Sequence, residues 1–320
     1  MRVGLELELL APRGKSREHL ARAVAKKFGG RVEFGFKFHG AGFLPDGRAD
    51  CRLTNAVRVL RGKSVLATFV DDPTIVDDVE RGDGETIWRT DDVRLALLVE
   101  RTCWAKTRAA ALTPFRTVFA AHHITGRIQD PLGHPLLVSA VEPFERERVC
   151  EVVLAPFARG ELKRMLTAVC SLATKLGFTV PSEGAIHAHY DAKPFHSTRA
   201  LRHLVLEWSD ALRESLQPNP RCRKLGPFPP DVLRVARESD DALQFETLAA
   251  ALSLAGLKRE VDLNLLGLVE PFPKQPTIEV RALPSTLDVD ATLARLELID
   301  AFLRRTKTGS APVSVRTRGT

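Results

Sequence analysis

The sequence predicts an α+β fold in which helices pack against one face of a mainly antiparallel sheet. Three observations carry this expectation. Several segments alternate apolar and charged residues with the two-residue period of a half-buried strand. Others repeat apolar residues at three- and four-residue steps, as amphipathic helices do. The two kinds do not alternate regularly along the chain, which argues against a doubly wound parallel sheet.

Taken in order, "VGLELELL" is the first strand. "SREHLARAVAKKFGG" is a helix: Ser16 is its N-cap, Leu20, Val24 and Phe28 recur at four-residue steps, and Gly29 and Gly30 end it. Residues 31–76 hold several strands with Gly, Pro and Asp turns. "DDVRLALLVERTCW" fits either a helix or a strand. "RVCEVVLAPF" is a strand that leads into a helix striped by Leu162, Met165, Leu166, Val169, Leu172 and Leu176 and stopped by Gly177. "GAIHAHYDA" is a strand, "STRALRHLVLEWSDALRESL" one long amphipathic helix, and "QPNPRCRKLGPFPP" a Pro-rich connection. Residues 231–257 form two helices, "REVDLNLLGL" and "PTIEVRALPST" are strands, and "DVDATLARLELIDAFL" is the closing helix. No internal repeat and no glycine-rich phosphate loop is present.

A chain of 320 residues buries a substantial core, and nothing marks an independent second domain. The expected division is a folded body over residues 1–305 and a basic, disordered tail over 306–320. No apolar run approaches the roughly 18–20 residues that cross a bilayer. The N-terminus carries carboxylates where a secretion signal needs plain apolar residues, so a cytoplasmic protein is expected. The five cysteines are scattered and form no C-x-x-C pair, which fits reduced thiols. Of the net charge of +7, five positive charges and no acid lie in residues 304–320, leaving +2 for residues 1–303. A nearly neutral body disfavours specific nucleic-acid binding.

The chemistry lies in the charged positions of the strands. In "GAIHAHYDA", His187, His189 and Asp191 share one face and Ile186, Ala188 and Tyr190 the other. "GLELEL" presents Glu6 and Glu8 opposite leucines, and "TIEVRAL" presents Glu279 and Arg281 opposite Ile278, Val280 and Ala282. "RVCEVVL" adds Glu151, and "TFVDDPTIV" offers Asp72. For any one such strand, a plain solvent-facing side is the ordinary explanation. Side by side, such strands would carpet a sheet face with carboxylates and imidazoles that repel one another unless cations neutralise them. Oxygen ligands suit Mg²⁺, and added imidazole suits Mn²⁺. The charged face is therefore expected to hold divalent metal ions. Removing the charge of Glu279 is expected to relieve crowding in the metal-free protein.

In this ordered set the chain resembles the amidoligase family of carboxylate–amine ligases, relatives of glutamine synthetase and glutamate–cysteine ligase. The match runs from "GLELEL" through "CEVVLAPFARGELKRML" and "GAIHAHYDA" to "LNLLGL" and "TIEVRALPSTLD", and is weakest over residues 78–145. The resemblance implies a half-funnel of antiparallel strands with helices on the outer face, binding ATP and divalent ions at its centre. It gives Glu6, Glu8, Glu151, His187 and Glu279 to the metal, either Mg²⁺ or Mn²⁺. It places Arg281 at the transferring phosphoryl group, Asn264 and His189 near the nucleotide, and His189 and Asp191 close enough to serve in proton transfer. The family's W-x-V-x-x-D element has no clear counterpart; the nearest candidates are Asp72 and the segment around Trp88.

The implied reaction joins a carboxylate to an amine through an acyl phosphate. Transfer of the phosphoryl group loads negative charge onto its oxygens, so the site needs cations in place beforehand. Implied substrates are peptides or small amino and carboxylate compounds, with oligomerisation left open. The alternative is a non-catalytic amidoligase-like module that binds a peptide or nucleotide.

Overall fold

The structure, a computed structural model, describes residues 1–39, 51–71, 87–90, 126–129, 135–139, 147–222, 225–273 and 275–308. Asp72 and "DDVRLALLVERTCW" lie outside them. The chain divides into two compact units that each recross the sequence: 1–5 with 156–163 and 182–320, and 6–155 with 164–181. Neither is a contiguous second domain. Residues 185–191 pair antiparallel with 277–284, 51–61 with 31–39 and 64–71, and 64–71 with 148–157, as expected for the α+β class.

In the unit built around residues 6–155, β1 (Val3–Ala11) contributes its later residues and lies beside β8 (Arg148–Phe157). The order continues through β4 (Ser64–Asp71), β3 (Cys51–Arg61), β5 (Ile87–Thr90), β7 (Pro135–Ser139) and β6 (Gly126–Gln129), with β2 (Arg31–His39) also paired to β3. The alternation read from the sequence holds: Leu7 and Leu9 are fully buried, and Glu6 and Glu8 between and before them are half-buried. Glu151 repeats the pattern, half-buried beside buried Val152. α1 (Arg17–Phe28) packs on β3 and β4 through Leu20 and Val24, which are fully buried. It ends at Gly29, whose left-handed φ of 61° favours glycine.

α2 (Arg159–Lys175) buries Leu162, Met165, Leu166 and Val169 as its periodicity predicts; Gly177, with φ of 83°, follows it. Cys150 and Cys170 are buried thiols and Cys222 is half-buried. Among the described residues, no helix is long and apolar enough to cross a membrane.

The other unit carries β9 (Ala185–Asp191), β11 (Thr277–Pro284) and the two-residue β10 (Leu263–Asn264), in the order β10-β11-β9. Its helices are α3 (Thr198–Leu206), α4 (Asp210–Leu216), α5 (Pro230–Glu238), α6 (Phe245–Leu254), the short α7 (Leu266–Val269) and α8 (Val289–Thr308). Two expectations need correction. The single long helix over 197–216 is two helices, because Ser209 starts a new one by accepting from the Leu212 N–H at 3.2 Å. Trp208 at the break turns inward and meets Phe302 edge-on, with ring centroids 5.4 Å apart. The strand over "REVDLNLLGL" shrinks to Leu263–Asn264, because Asn264 Oδ1 accepts from the Leu266 N–H at 3.0 Å and turns the chain into α7.

The face of β9 opposite the imidazoles borders a half-buried ion pair. Arg159 donates to Asp300 Oδ2 at 3.0 Å and to the Leu296 carbonyl at 2.8 Å, tying the start of α2 to α8. Tyr190 sits beside this pair; burial first, and then Asp300, push its phenol far above the ordinary tyrosine range.

α8 continues to Thr308, and Thr306 is buried, so its last turn passes the expected boundary at residue 305. Deleting residues 309–320 will leave the melting temperature within about a degree of the full chain, whereas deletion from 306 removes the buried turn and lowers it measurably. Calorimetry of the two truncations checks this. Gly267 gives a second test. A Cβ there would meet the Thr277 carbonyl and lie 2.5 Å from the Gln275 carbonyl, both backbone. Gly267→Ala is expected to cost on the order of 1–3 kcal/mol, read by denaturant unfolding.

Candidate active site

Register builds the site. β9 and β11 pair with Glu279 opposite His189 and Thr277 opposite Asp191, while β10 sets Asn264 opposite Glu279. Asn264, Glu279 and His189 thus form one row across three strands, and directly opposed residues share a face. Between Val280 and Leu283 the register shifts, so Arg281 and Ala282 face the single residue His187. That irregularity brings the guanidinium and the second imidazole to the same carboxylate.

Glu279 is 5% exposed. Its Oε2 accepts from Asn264 Nδ2 at 2.6 Å and its Oε1 from Arg281 Nη1 at 2.6 Å. His187 Nδ1 lies 3.3 Å from Oε1 and His189 Nε2 lies 3.8 Å from it. Asn264 is fixed from both ends, since its Oδ1 takes the Leu266 N–H. His189 Nδ1 lies 3.4 Å from Thr277 Oγ1 on the facing strand. Burial works against ionisation of Glu279, yet Arg281, then His187 and His189, and the Asn264 hydrogen bond together hold its carboxyl below the usual glutamate range.

Five of the residues singled out in the sequence are therefore together: His187, His189, Asn264, Glu279 and Arg281. Asp191 stands apart from them. It is exposed at the end of β9 and accepts from the Lys193 N–H at 3.0 Å, which serves the local turn. Glu6, Glu8 and Glu151 belong to the other unit, on the half-buried sides of β1 and β8. Trp88 is on β5, opposite Leu53.

Sequence reasoning missed Asp262. It lies two residues before Asn264, and its carbonyl accepts from the Arg281 N–H at 2.8 Å, so it continues the β10 edge beside β11. Its side chain is 1% exposed and its Oδ2 accepts from Arg213 Nε. The D-x-N spacing in "VDLNL" was the available signal, the same two-residue step as H-x-H and E-x-R.

Glu279 Oε1 with one imidazole nitrogen at 3.3 Å and another at 3.8 Å offers oxygen and nitrogen donors, the kinds of ligand that Mn²⁺ accepts and that Mg²⁺ accepts with fewer nitrogens. Arg281 supplies a fixed positive charge on the same carboxylate. Within this unit the expected relief of crowding on neutralising Glu279 meets an opposing loss, because the neighbours of its carboxylate are a guanidinium, two imidazoles and an amide donor. Metal-free Glu279→Gln will be less stable than wild type near pH 7, by on the order of 1–3 kcal/mol. Because the folded value is depressed, this stabilisation is complete above the ordinary glutamate value of about 4.3 and fades as pH falls through the lowered folded value. Melts in chelator at pH 7 and at pH 3 check this: the gap between the two proteins is present at pH 7 and closes as the pH falls through the lowered Glu279 value.

A family model described as "Putative amidoligase enzyme" matches residues 1–303. No curated protein and no solved structure matches the chain. The match spans nearly the whole sequence and includes every residue gathered at Glu279, so the chain belongs to the amidoligase family.

Proposed function

We propose that the protein is an ATP-dependent carboxylate–amine ligase that forms an amide or isopeptide bond through an acyl phosphate. Family membership supports ligase-type chemistry. The single observation that favours an active enzyme over a binding module is the arrangement around Glu279. One buried carboxylate meets two imidazoles, a guanidinium and an oriented amide. Such a group is costly to bury and adds little to a fold that apolar residues would stabilise as well. Buried clusters of this kind are characteristic of sites that do chemistry.

In this proposal Glu279 and His187 hold divalent metal, Mg²⁺ or Mn²⁺, and Glu6, Glu8 and Glu151 are further ligands of the kind the family resemblance implies. The bound metal supplies positive charge to the phosphate oxygens. Arg281 presents its guanidinium to the phosphoryl group as it moves from ATP to the donor carboxylate. Asn264 and His189 orient the nucleotide. The amine then attacks the acyl carbon, the C–N bond forms, and phosphate leaves. His189 is placed to accept the proton that the amine loses, and Asp191 at the exposed end of the same strand is the second candidate. Substrates are peptides or small amino and carboxylate compounds, in a cytoplasmic setting.

Glu279→Gln is expected to lower turnover by on the order of 10² to 10³, since it removes a charge that organises the phosphoryl site. The assay is Mg²⁺-dependent ADP release with a panel of amines and carboxylates, run beside a melt to show that the variant is folded. Full activity in the variant rules Glu279 out of the reaction. Wild-type protein that binds ATP and turns over none of the panel favours the binding module.

A further inference from the structure

One strand meets both nitrogens of the His189 ring. Its Nε2 lies 3.8 Å from Glu279 Oε1, and its Nδ1 lies 3.4 Å from the hydroxyl of Thr277, two residues earlier on β11. Alternate residues of a strand share a face and lie ~6–7 Å apart, a gap that an imidazole with a contact at each nitrogen bridges. The register agrees. His189 stands opposite Glu279 and Asp191 opposite Thr277, which makes Thr277 the diagonal neighbour of His189. Asp191 engages the Lys193 N–H at 3.0 Å, while the Thr277 hydroxyl meets the imidazole.

Thr277 is half-buried and firmly seated as the first residue of β11. Its N–H donates to the Gln275 carbonyl at 2.8 Å, and the Pro276 carbonyl before it accepts from the Ala192 N–H at 3.0 Å. Gly267 of α7 packs so closely on the Thr277 backbone that a Cβ there would clash. Branching at Cβ restricts χ1 as well, so the hydroxyl oxygen keeps its place and only its proton rotates. A hydroxyl both donates and accepts. It can therefore serve Nδ1 whichever ring nitrogen carries the proton.

A histidine ring needs such a partner because the torsion about its Cβ–Cγ bond is broad and roughly two-fold. A half turn exchanges Nδ1 with Cδ2 and Nε2 with Cε1, and would set a carbon against Glu279. The His189 side chain is 15% exposed, so neighbouring groups and not bulk water decide which way the ring lies. We propose that Thr277 is a positioning residue for the reaction: its hydroxyl holds Nδ1 and thereby presents Nε2 of His189, and not a ring carbon, at Glu279. This rests on the ligase reading in that His189 is the group which that reading gives to the amine's proton. Thr277 acts through the imidazole alone.

Thr277→Val keeps the residue's shape and strand preference and removes the hydroxyl, whereas Thr277→Ser keeps the hydroxyl. Ring ¹⁵N spectra of the full chain in chelator, at one pH, read the contact directly, with His189 assigned by the loss of its signals in His189→Gln. The His189 Nδ1 resonance is expected to move in Thr277→Val and to stay close to wild type in Thr277→Ser. Mg²⁺-dependent ADP release is expected to fall about tenfold in Thr277→Val, roughly the worth of one hydrogen bond, and to recover in Thr277→Ser. An unmoved Nδ1 resonance in Thr277→Val, or a Thr277→Ser protein as altered as Thr277→Val, overturns the proposal. If Thr277→Val does not fold, nuclear Overhauser effects from the Thr277 methyl in wild type decide. Hε1 adjoins Nδ1, and Hδ2 takes the place facing Thr277 when the ring is reversed. A stronger effect at Hε1 supports the proposal; a stronger effect at Hδ2 overturns it. The two readings fail separately. ADP release with a ring that ignores Thr277→Val removes Thr277 and keeps the ligase; a ring that responds in a protein inert with Mg²⁺ and ATP does the reverse.

Discussion

The unit around β9 and β11 depends on keeping one carboxylate charged where water is largely excluded. An isolated ion in such a place costs several kcal/mol, and a protein normally avoids it by neutralising the group. Glu279 escapes neutralisation because both of its oxygens are occupied and two imidazoles stand beside it. The partners come from three strands, so the charge survives only where all three are in register. A slip of one residue in any of them would send its side chain to the opposite face. Register here is set chemically as well as by packing.

The other side of β9 answers a different demand. Ile186 and Ala188 are fully buried, as an apolar face requires, but Tyr190 borders the Arg159–Asp300 pair. That pair joins residues 141 positions apart in sequence, at the beginning of α2 and within α8. The strand that carries the imidazoles is therefore held on one side by charge near Glu279 and on the other by apolar contacts that end in a second ion pair. Since χ angles at His187 and His189 follow their backbone, a firmly seated strand is what gives the imidazoles defined positions.

Much of this was legible in the sequence, and the limits have physical causes. Period-two alternation exposed the H-x-H and E-x-R pairs because a strand with one polar face prints that face at every second residue. The caps of α1 at Ser16 and Gly29 were equally plain. Asp262 escaped because its own segment turns into α7 after two strand residues, too short a run for alternation to announce itself. The break between α3 and α4 escaped because Trp208 and Ser209 neither contain a helix breaker nor interrupt the amphipathic stripe; the inward turn of Trp208 is a tertiary preference. Tyr190 read as one more apolar neighbour, since its ionic surroundings come from residues distant in the chain. Local rules revealed which residues face together, and long-range pairing decided what they face.

The double anchoring of Asn264 restricts what evolution or a designer could place there. Size is not the restriction, because aspartate has nearly the same shape and would still accept the Leu266 N–H. On its other side, however, it would set an oxygen against Glu279 Oε2 where the amide now donates at 2.6 Å. Two carboxylates at that separation cannot both ionise, and the proton they would share would discharge the group on which the neighbouring imidazoles and guanidinium converge. The closest isostere is thus among the worst replacements. What position 264 carries forward from one generation to the next is a requirement for a neutral donor, written in charge and not in volume.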